Sequence, residues 1–438
     1  MIAIKRVGFG FISQGMNQTV TIFLQLASVP ILASCWGGET YGRWVMLTTL
    51  PTYLSFLDLG FSQAAANDMA MKLAAGDVEG AREDLHGVFA LFLCLSLPIS
   101  LLICFFVANG AAPAALGYGD SSTRLTIVFL TIYCALSLLS GIAAAGLRAD
   151  GLFSLMVVLS SSGRLIEGLA VMAVAAIGHR GILGAASVML ALRVLTAVAF
   201  VAALRLGRSR LSLGLRRARV GTVRRLAYPS LMFLGFPLGN ALCLQGQVLL
   251  MGHYFGAAAA GLFAVNRTLA RVGVNSLGLI NHIFSYEYSI RNHDPARFRR
   301  IGILHFALQL LGIVAFSAGL TYVGESLFNL WVRGRFQFQP LMFSLITLQS
   351  VFEILWAALL TPLIALNRHG GVAAHYVAAS VAACVGAAVC VSAGWGLASA
   401  PACLTIAYAV LAALALLRAS PLFVAARTAP MRLQEAAK

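Results

Sequence analysis

Two arginines lie four residues apart in a long apolar segment near the middle of the chain. Arg267 and Arg271 share one face of a predicted helix, where like charges repel each other unless an anion lies between them. A guanidinium near the centre of a bilayer is costly, so it needs an anion or a water-filled cavity. Residues 168–286 contain no carboxylate. We therefore expect both arginines to bind an anionic ligand; pairing with Glu353 or Glu167 on another helix is the alternative.

Other charged residues also fall inside apolar segments. Arg193 is the only charged residue of its segment, whereas Arg164 and Glu167 are three residues apart and could neutralise each other. Glu353 lies in mid-segment, where a carboxylate either pairs with an arginine or carries a proton. Asp58 lies nearer a helix end, where solvation is an alternative to function. We take Glu353, Glu167 and Asp58 as candidate ion-coupling groups.

Uncharged polar residues form a stripe on the first predicted helix. Gln14, Gln18, Thr21 and Gln25 recur at helical spacing on an otherwise apolar segment. Lipid cannot satisfy an amide, so the stripe faces protein or water, either as hydrogen bonds between helices or as the wall of a polar cavity. The candidate substrate-binding residues of such a cavity are Arg267, Arg271, Arg193, Arg164, Asn275, Gln14, Gln18 and Gln25.

The composition is that of a membrane protein. Of 438 residues, 60% are hydrophobic and only 11% are charged, and apolar stretches of about 20 residues recur along the chain. We predict an all-α polytopic membrane protein with about twelve spans and no soluble catalytic domain. The spans are predicted to begin near Phe11, Tyr41, His86, Thr123, Leu152, Ile182, Leu226, Ala258, Ile301, Leu341, Val372 and Leu397.

The basic residues predict the orientation in the membrane. With the N-terminus inside, most of the 31 Lys and Arg residues fall at inner ends and loops. Those at outer ends and loops are Arg43, Arg124, Arg180, Arg333 and Arg335. This asymmetry follows the positive-inside rule and predicts that both termini are cytoplasmic. Because the charges serve topology, we expect no nucleic-acid partner.

The chain is predicted to consist of two halves of six spans each. The proposed divisions are an N-terminal lobe (1–204), a basic cytoplasmic linker (205–225), a C-terminal lobe (226–418) and a cytoplasmic tail (419–438). Trp36-Gly37 and Gly42 match Phe255-Gly256 and Gly261 at one offset, and Leu59-Gly60 matches Leu277-Gly278 at nearly the same offset. Two such halves form a parallel repeat about a pseudo-two-fold axis along the membrane normal, with a cavity between the lobes.

Sequence patterns typical of catalysis or of cofactor binding are missing. The eight cysteines include no CxxC pair, so we interpret them as small apolar residues. The histidines show no metal-ligand spacing, and the chain has no Walker A loop, dinucleotide fingerprint or nucleophile elbow. We therefore expect no catalytic residue, no metal ion and no cofactor, and predict that the protein is not an enzyme.

The stretch from Trp36 to Arg82 resembles the polysaccharide-transport family, which contains the O-antigen and exopolysaccharide flippases. The residues that carry the resemblance are Trp36-Gly37, Tyr41-Gly42, Leu57-Asp58-Leu59-Gly60, Asn67, Ala74-Ala75-Gly76-Asp77 and Ala81-Arg82. The resemblance implies a two-lobed transporter of the multidrug/oligosaccharidyl-lipid/polysaccharide exporter superfamily in the bacterial inner membrane. It further implies an undecaprenyl-pyrophosphate-linked oligosaccharide as substrate, moved to the outer leaflet. Membrane lipids and other polysaccharide-assembly membrane proteins are the further partners expected.

Three other functions compete with this one. A drug/cation antiporter of the same superfamily needs an acidic cavity, whereas this chain has more buried arginines than acids. A lipid-II-type flippase usually has extra spans. A membrane-embedded polysaccharide polymerase is an enzyme with a large outer loop, and the longest outer loop predicted here is near 326–340. Formation of new glycosidic bonds from a lipid-linked donor would distinguish an enzyme from a transporter.

Overall fold

The structure is a computed structural model that describes residues 2–110, 120–177, 181–206, 209–290, 294–366 and 371–435. The regular elements in these ranges are helices, and none of the described residues forms a β-strand. An all-helical fold suits a bilayer, because each helix satisfies its own backbone N–H and C=O groups where water is absent.

The first half of the chain contains eight helices in the described residues. They are α1 (Ile2–Leu47), α2 (Thr49–Leu54), α3 (Phe61–Ala74), α4 (Val78–Leu91), α5 (Leu97–Ala108), α6 (Ser121–Ala149), α7 (Phe153–Ala176) and α8 (Ile182–Leu206). A 3-10 turn, Ser55–Asp58, follows α2, and a π-helical turn, Phe92–Ser96, joins α4 to α5.

The second half continues with α9 (Val220–Ala241), α10 (Gln247–Phe255), α11 (Ala257–Ile290), α12 (Pro295–Val332), α13 (Pro340–Ala365), α14 (Val372–Ser392) and α15 (Ser399–Glu435). A π-helical turn, Leu242–Gly246, joins α9 to α10. The chain divides into two compact units, Met1–Ala241 and Leu242–Lys438. The division falls between α9 and this turn, and the predicted lobe boundaries stay a prediction.

Ten helical segments of the described chain are long and apolar enough to cross a membrane. The first of them, Met16–Asp58, has 43 residues and covers most of the first and second predicted spans. The predicted eighth span corresponds to α11, which is 34 residues long, carries Arg267 and Arg271, and is not among the ten. Large apolar side chains such as Phe105, 62% exposed, cover the surface. The prediction of an all-α polytopic membrane protein is confirmed.

The matched tryptophan-glycine and phenylalanine-glycine pairs form the same local turn. Gly37 interrupts α1 with φ 77° and ψ 169°, and Gly256 separates α10 from α11 with φ 85° and ψ 170°. Positive φ favours glycine, since a side chain would clash with the backbone there. Beside Gly37, the rings of Trp36 and Trp44 pack edge to face at 5.7 Å. The repeated sequence thus encodes a repeated backbone conformation.

The second matched pair, Leu59-Gly60 and Leu277-Gly278, does not form a repeated turn. The helical conformation is interrupted at Leu59 (φ 49°) and Gly60 (φ 79°), whereas Gly278 lies inside the continuous helix α11. A Cβ on Gly60 would lie 2.4 Å from the carbonyl oxygen of Ser230 on α9, whereas a Cβ on Gly278 would meet nothing within 4 Å. The break in the first unit therefore permits a close helix contact that Gly278 lacks.

The basic segment predicted as a linker, 205–225, is bound to the first unit by ion pairs. Arg210 reaches Asp150 at 2.7 Å, and Arg217 reaches Glu79 at 2.5 Å. Arg82, part of the family motif, donates to the backbone oxygen of Arg210 at 3.0 Å. The described part of the segment is therefore docked on the end of α6 and the start of α4.

A four-residue charge cluster fixes the start of α9. Asp84 is fully buried and accepts from Arg225 at 2.5 Å and from Lys72 at 2.7 Å. The same two cations contact Asp68, at 2.6 Å and 3.1 Å. Burial raises the pKa of Asp68, but hydrogen bonds with Asp84 and the two cations outweigh it and lower this pKa from 3.8 to about 2. The cluster joins α3, α4 and α9.

Candidate functional site

The second unit contains an ion pair between two of its helices. Arg271 on α11 donates through Nη1 to Oε1 of Glu353 on α13 at 2.9 Å. Gln349, one turn before Glu353, donates to its Oε2 at 3.1 Å. Glu353 is only 8% exposed, so the carboxylate and guanidinium satisfy each other where water is scarce.

An aromatic group lies near this pair. Trp356 packs against Tyr376 and Tyr408 with ring centroids 4.7 Å and 6.0 Å away. The two tyrosine hydroxyls are 3.1 Å apart, and Trp356 follows Glu353 by three residues, so both lie on the same side of α13. These residues come from α13, α14 and α15, so three helices form one side of the environment of the ion pair.

Arg267, one turn before Arg271, is held by a backbone oxygen. Its Nη1 donates to the carbonyl oxygen of Leu244, which belongs to the π-helical turn between α9 and α10. A π-helical turn shifts the hydrogen-bond register of a helix, and such turns are frequent at functional sites. The guanidinium also lies 5.7 Å from the ring centroid of Phe263.

The first unit contains a second buried ion pair. Arg193 on α8 donates to Oε2 of Glu167 on α7 at 2.7 Å. The Tyr133 hydroxyl on α6 donates to the same oxygen at 3.1 Å, and the Arg193 guanidinium lies 4.5 Å from the Tyr133 ring centroid. The other oxygen of Glu167 is buried and has no hydrogen-bond partner among the described residues. Three helices therefore meet at one carboxylate.

The local pair that the sequence offers, Arg164 with Glu167, is not present. Arg164 donates instead to the side-chain oxygen of Asn17 on α1, and Ser161 donates to the same atom at 3.2 Å. Glu167 points to Arg193, because that cation lies on the facing helix α8. The interpretation of Arg164 and Glu167 as a local ion pair is therefore wrong.

For Arg271 and Arg193 the structure shows the alternative of an internal ion pair. Each has a carboxylate partner on another helix, 82 and 26 residues away in sequence. The sequence suggested a missing anion because neither acid is near its arginine along the chain. A phosphate ligand would have to replace these carboxylates rather than fill an empty position.

The remaining candidate site residues are Asp58, three partly buried polar residues and Gln14. Asp58 accepts from the backbone N of Ser62 at 3.1 Å and from its hydroxyl at 2.6 Å, so it caps the start of α3. Gln18, Gln25 and Asn275 are half-buried, and each has interacting neighbours. The side chain of Gln14 lies outside the described residues.

One buried polar group was not found from the sequence. His305 on α12 is fully buried between the hydroxyl of Tyr288, at 3.1 Å, and the side-chain oxygen of Asn281, at 2.9 Å. Gln309, one turn after His305, donates to the same Asn281 oxygen at 2.8 Å. The i, i+4 spacing of His305 and Gln309 was the available signal, and these contacts join α11 to α12.

The fold is similar to those of solved transporters of the MOP superfamily. The inward-facing conformation of a multidrug resistance MATE family transporter aligns over 96% of this chain and 99% of its own, with 14% identity and a TM-score of 0.71. An outward-facing conformation of such a transporter aligns over 97% and 96%, with 13% identity and a TM-score of 0.59.

A third similar structure is a MOP superfamily transporter from Pyrococcus furiosus, described as having a binding pocket of reverse polarity that suggests a different function. It aligns over 97% of this chain and 96% of its own, with 14% identity and a TM-score of 0.62. At these identities the likeness shows the fold alone. No curated protein matches the sequence.

The sequence itself matches one family. Residues 38–330, about two thirds of the chain, match the model of a family described as polysaccharide biosynthesis protein. This range includes the Leu57–Gly60 motif, the glycine turn at Gly256, and Arg193 and Arg271. The chain is a multi-pass membrane protein with the fold of MOP superfamily transporters, and it belongs to this polysaccharide biosynthesis protein family.

Proposed function

We propose that this chain is a flippase that moves an undecaprenyl-pyrophosphate-linked oligosaccharide from the cytoplasmic to the periplasmic leaflet by alternating access. The observation that carries the proposal is the buried pair of Arg271 and Glu353, with Arg267 one turn away on α11. Pyrophosphate is an anion that guanidinium groups bind through paired N–H donors. Membership of a polysaccharide biosynthesis family supports a saccharide as the rest of the substrate.

Arg271 is suited to exchange one anion for another. Its Nη1 now donates to Glu353, and a phosphate would offer the same guanidinium several acceptor oxygens. The exchange would leave Glu353 buried without its cation, and a lone buried carboxylate is costly enough to take up a proton. Substrate binding and protonation of Glu353 would therefore be linked, which is the coupling role we assign to Glu353.

The first unit offers a second exchange of the same kind. Arg193 would release Glu167 to contact the substrate, and the Tyr133 hydroxyl would stay as a donor to the freed carboxylate. Arg164 and the amides of Gln14, Gln18, Gln25 and Asn275 are proposed to contact the polar head group. Asp58 is the weakest coupling candidate, because its carboxylate already caps α3.

Two alternative functions would require different binding or active sites. A drug/cation antiporter needs a carboxylate that is open to a cation, whereas Glu353 and Glu167 are each bound to an arginine. A membrane-embedded polymerase needs a site that activates an acceptor hydroxyl, and the sequence offers no such motif. The charge arrangement favours an anionic substrate and transport.

The proposal also includes a cellular location and binding partners. A lipid-linked saccharide is assembled at the cytoplasmic face, so we place the protein in a bacterial inner membrane with both termini cytoplasmic. Membrane lipids and other polysaccharide-assembly membrane proteins are the proposed partners. The proposed exchange uses only side chains of this chain and calls for no cofactor and no nucleic acid.

The experiment is a flipping assay in vesicles that contain the purified full-length chain. A short fluorescent oligosaccharide on undecaprenyl pyrophosphate is placed in both leaflets, and a membrane-impermeant enzyme that cleaves the sugar reports the accessible fraction. We expect full cleavage with the protein and about half in empty vesicles, because half of the lipid faces inward. Equal cleavage in both would overturn the proposal, and new glycosidic bonds would indicate a polymerase.

A matched substrate tests the role of the arginines. The same oligosaccharide on a neutral lipid lacks the pyrophosphate that the guanidinium groups are proposed to bind. We expect it to move much more slowly than the charged lipid. Equal rates for both lipids would show that the head-group charge is not recognised.

A further inference from the structure

Two of the eight cysteines lie side by side at neighbouring helix ends. Cys390 is in the last turn of α14, which ends at Ser392, and Cys403 is near the start of α15, which begins at Ser399. Their Sγ atoms are 4.0 Å apart, and both side chains are partly exposed. This proximity could not be predicted from the sequence, because the two residues are not in a CxxC pattern.

The connection between the two helices holds this arrangement. The backbone N of Trp395 donates to the carbonyl oxygen of Cys390 at 2.9 Å, and Gly394 has φ 87°. These features end α14 with a tight glycine turn and direct the chain to α15. Gly386 lies one turn before Cys390, and a Cβ built there would be 3.4 Å from the Cys403 sulfur, so this sulfur lies against the face of α14 that carries Cys390. The turn therefore places the two sulfurs next to each other.

The predicted topology puts this turn on the outer side of the membrane. Residues 393–398 follow the eleventh span and contain no lysine or arginine, whereas Arg368 precedes that span. Trp395 is 59% exposed, as is typical of an aromatic residue at the membrane interface. Outside the bacterial inner membrane, thiols close together are oxidised and disulfides persist.

We propose that Cys390 and Cys403 form a disulfide bond in the mature protein. The sulfurs must approach from 4.0 Å to about 2 Å, a movement that small side-chain rotations supply. The oxidant is a protein disulfide of the outer compartment. One cysteine thiolate attacks that disulfide and forms a mixed disulfide with the oxidant. The second cysteine thiolate attacks the protein sulfur of the mixed disulfide and displaces the oxidant's thiolate, so the oxidant leaves as a dithiol that holds the two electrons and two protons.

The bond would act on helices that surround the candidate site of the second unit. Tyr376 lies on α14 and Tyr408 on α15, and their hydroxyls are 3.1 Å apart against Trp356. A covalent link at the outer ends of the same two helices restricts their separation. The inference does not depend on the proposed substrate, so either can fail without the other.

The experiment uses the full-length chain in membranes of a bacterium with an oxidising periplasm. Thiols are trapped by acid, alkylated under denaturing conditions without reductant, and mapped by mass spectrometry with and without prior reduction. We expect a Cys390–Cys403 linked peptide and alkylation of both residues only after reduction. Cys243 and Cys384, thiols of the same unit, are the internal controls and should be alkylated in both samples.

Two further measurements test for the disulfide bond. Cys390→Ser should make Cys403 alkylatable without reduction, and reductant should lower the thermal unfolding midpoint of the unmodified chain but not that of the Cys390→Ser/Cys403→Ser variant. Full alkylation of both thiols, even after membranes are exposed to oxidised glutathione, would overturn the proposal. Labelling of Cys390 by an impermeant thiol reagent from the cytoplasmic side would also overturn it.

Discussion

Arg271 and Glu353 lie 82 residues apart in sequence and 2.9 Å apart in space, on helices α11 and α13. A buried ion pair often contributes no more stability than two apolar side chains of similar volume, because both charges lose their hydration. Stability alone therefore does not explain why this pair is present. The proposed function offers a better explanation, in which the guanidinium leaves its carboxylate to bind a phosphate.

The first prediction separates these two roles of the pair. The double variant Arg271→Met/Glu353→Leu replaces both charges by apolar groups, so we expect near-normal folding together with loss of flipping. Arg271→Ala alone leaves a buried carboxylate without a cation and should destabilise the protein by about 3–5 kcal/mol. Thermal unfolding in detergent and the vesicle assay measure the two effects. A double variant that flips normally would exclude Arg271 as a substrate ligand.

The second prediction concerns the coupling group. Glu353→Gln keeps the shape of the side chain and an acceptor oxygen for Arg271, but it removes the carboxyl group that we propose exchanges a proton. We expect the pH dependence of flipping to become flatter while transport at its best pH persists. The matched variant is Glu167→Gln in the first unit, and the two together show which carboxylate couples. A pH profile unchanged in both variants would restrict these acids to packing and pairing.

The third prediction concerns the charge cluster at the start of α9. The pKa of Asp68 is lowered from 3.8 to about 2, so the folded state binds the proton less well than the unfolded state. Its contribution to stability is therefore fully present above about pH 4 and is lost as the pH falls towards 2. Asp68→Asn should remove this part of the pH dependence in thermal unfolding measured from pH 6 downwards.

A control for the third prediction comes from an exposed pair. Arg43 and Glu39 are 2.8 Å apart, but both side chains are largely exposed, and such pairs contribute about 0–1 kcal/mol. Glu39→Gln should leave stability nearly unchanged across the same range. If Asp68→Asn behaves in the same way as Glu39→Gln, the cluster does not hold α9 in place.

The sequence predicted the features that a bilayer requires, but not the side-chain contacts between facing helices. Helical spans follow from apolar length, and the turns at Gly37 and Gly256 follow from a motif that needs glycine at positive φ. Partners of buried charges could not be predicted, because the rotation of each helix decides which acid an arginine meets. Arg164 has an acid three residues away, and it contacts Asn17 on α1 instead.

The last prediction tests the difference between two glycines that the sequence pattern treats as equivalent. Gly60 has φ 79°, and a Cβ there would lie 2.4 Å from the backbone oxygen of Ser230. Gly60→Ala must therefore strain the turn and push α9 away from α3, so we expect lower thermal stability and slower flipping. Gly278→Ala is the matched control, because Gly278 is helical and has nothing within 4 Å of an added Cβ. Alanine favours a helix by roughly 0.5–1 kcal/mol over glycine, so this variant should be as stable as the unmodified chain or more so. Equal stability of the two variants would mean that the contact between Gly60 and Ser230 does not position α9.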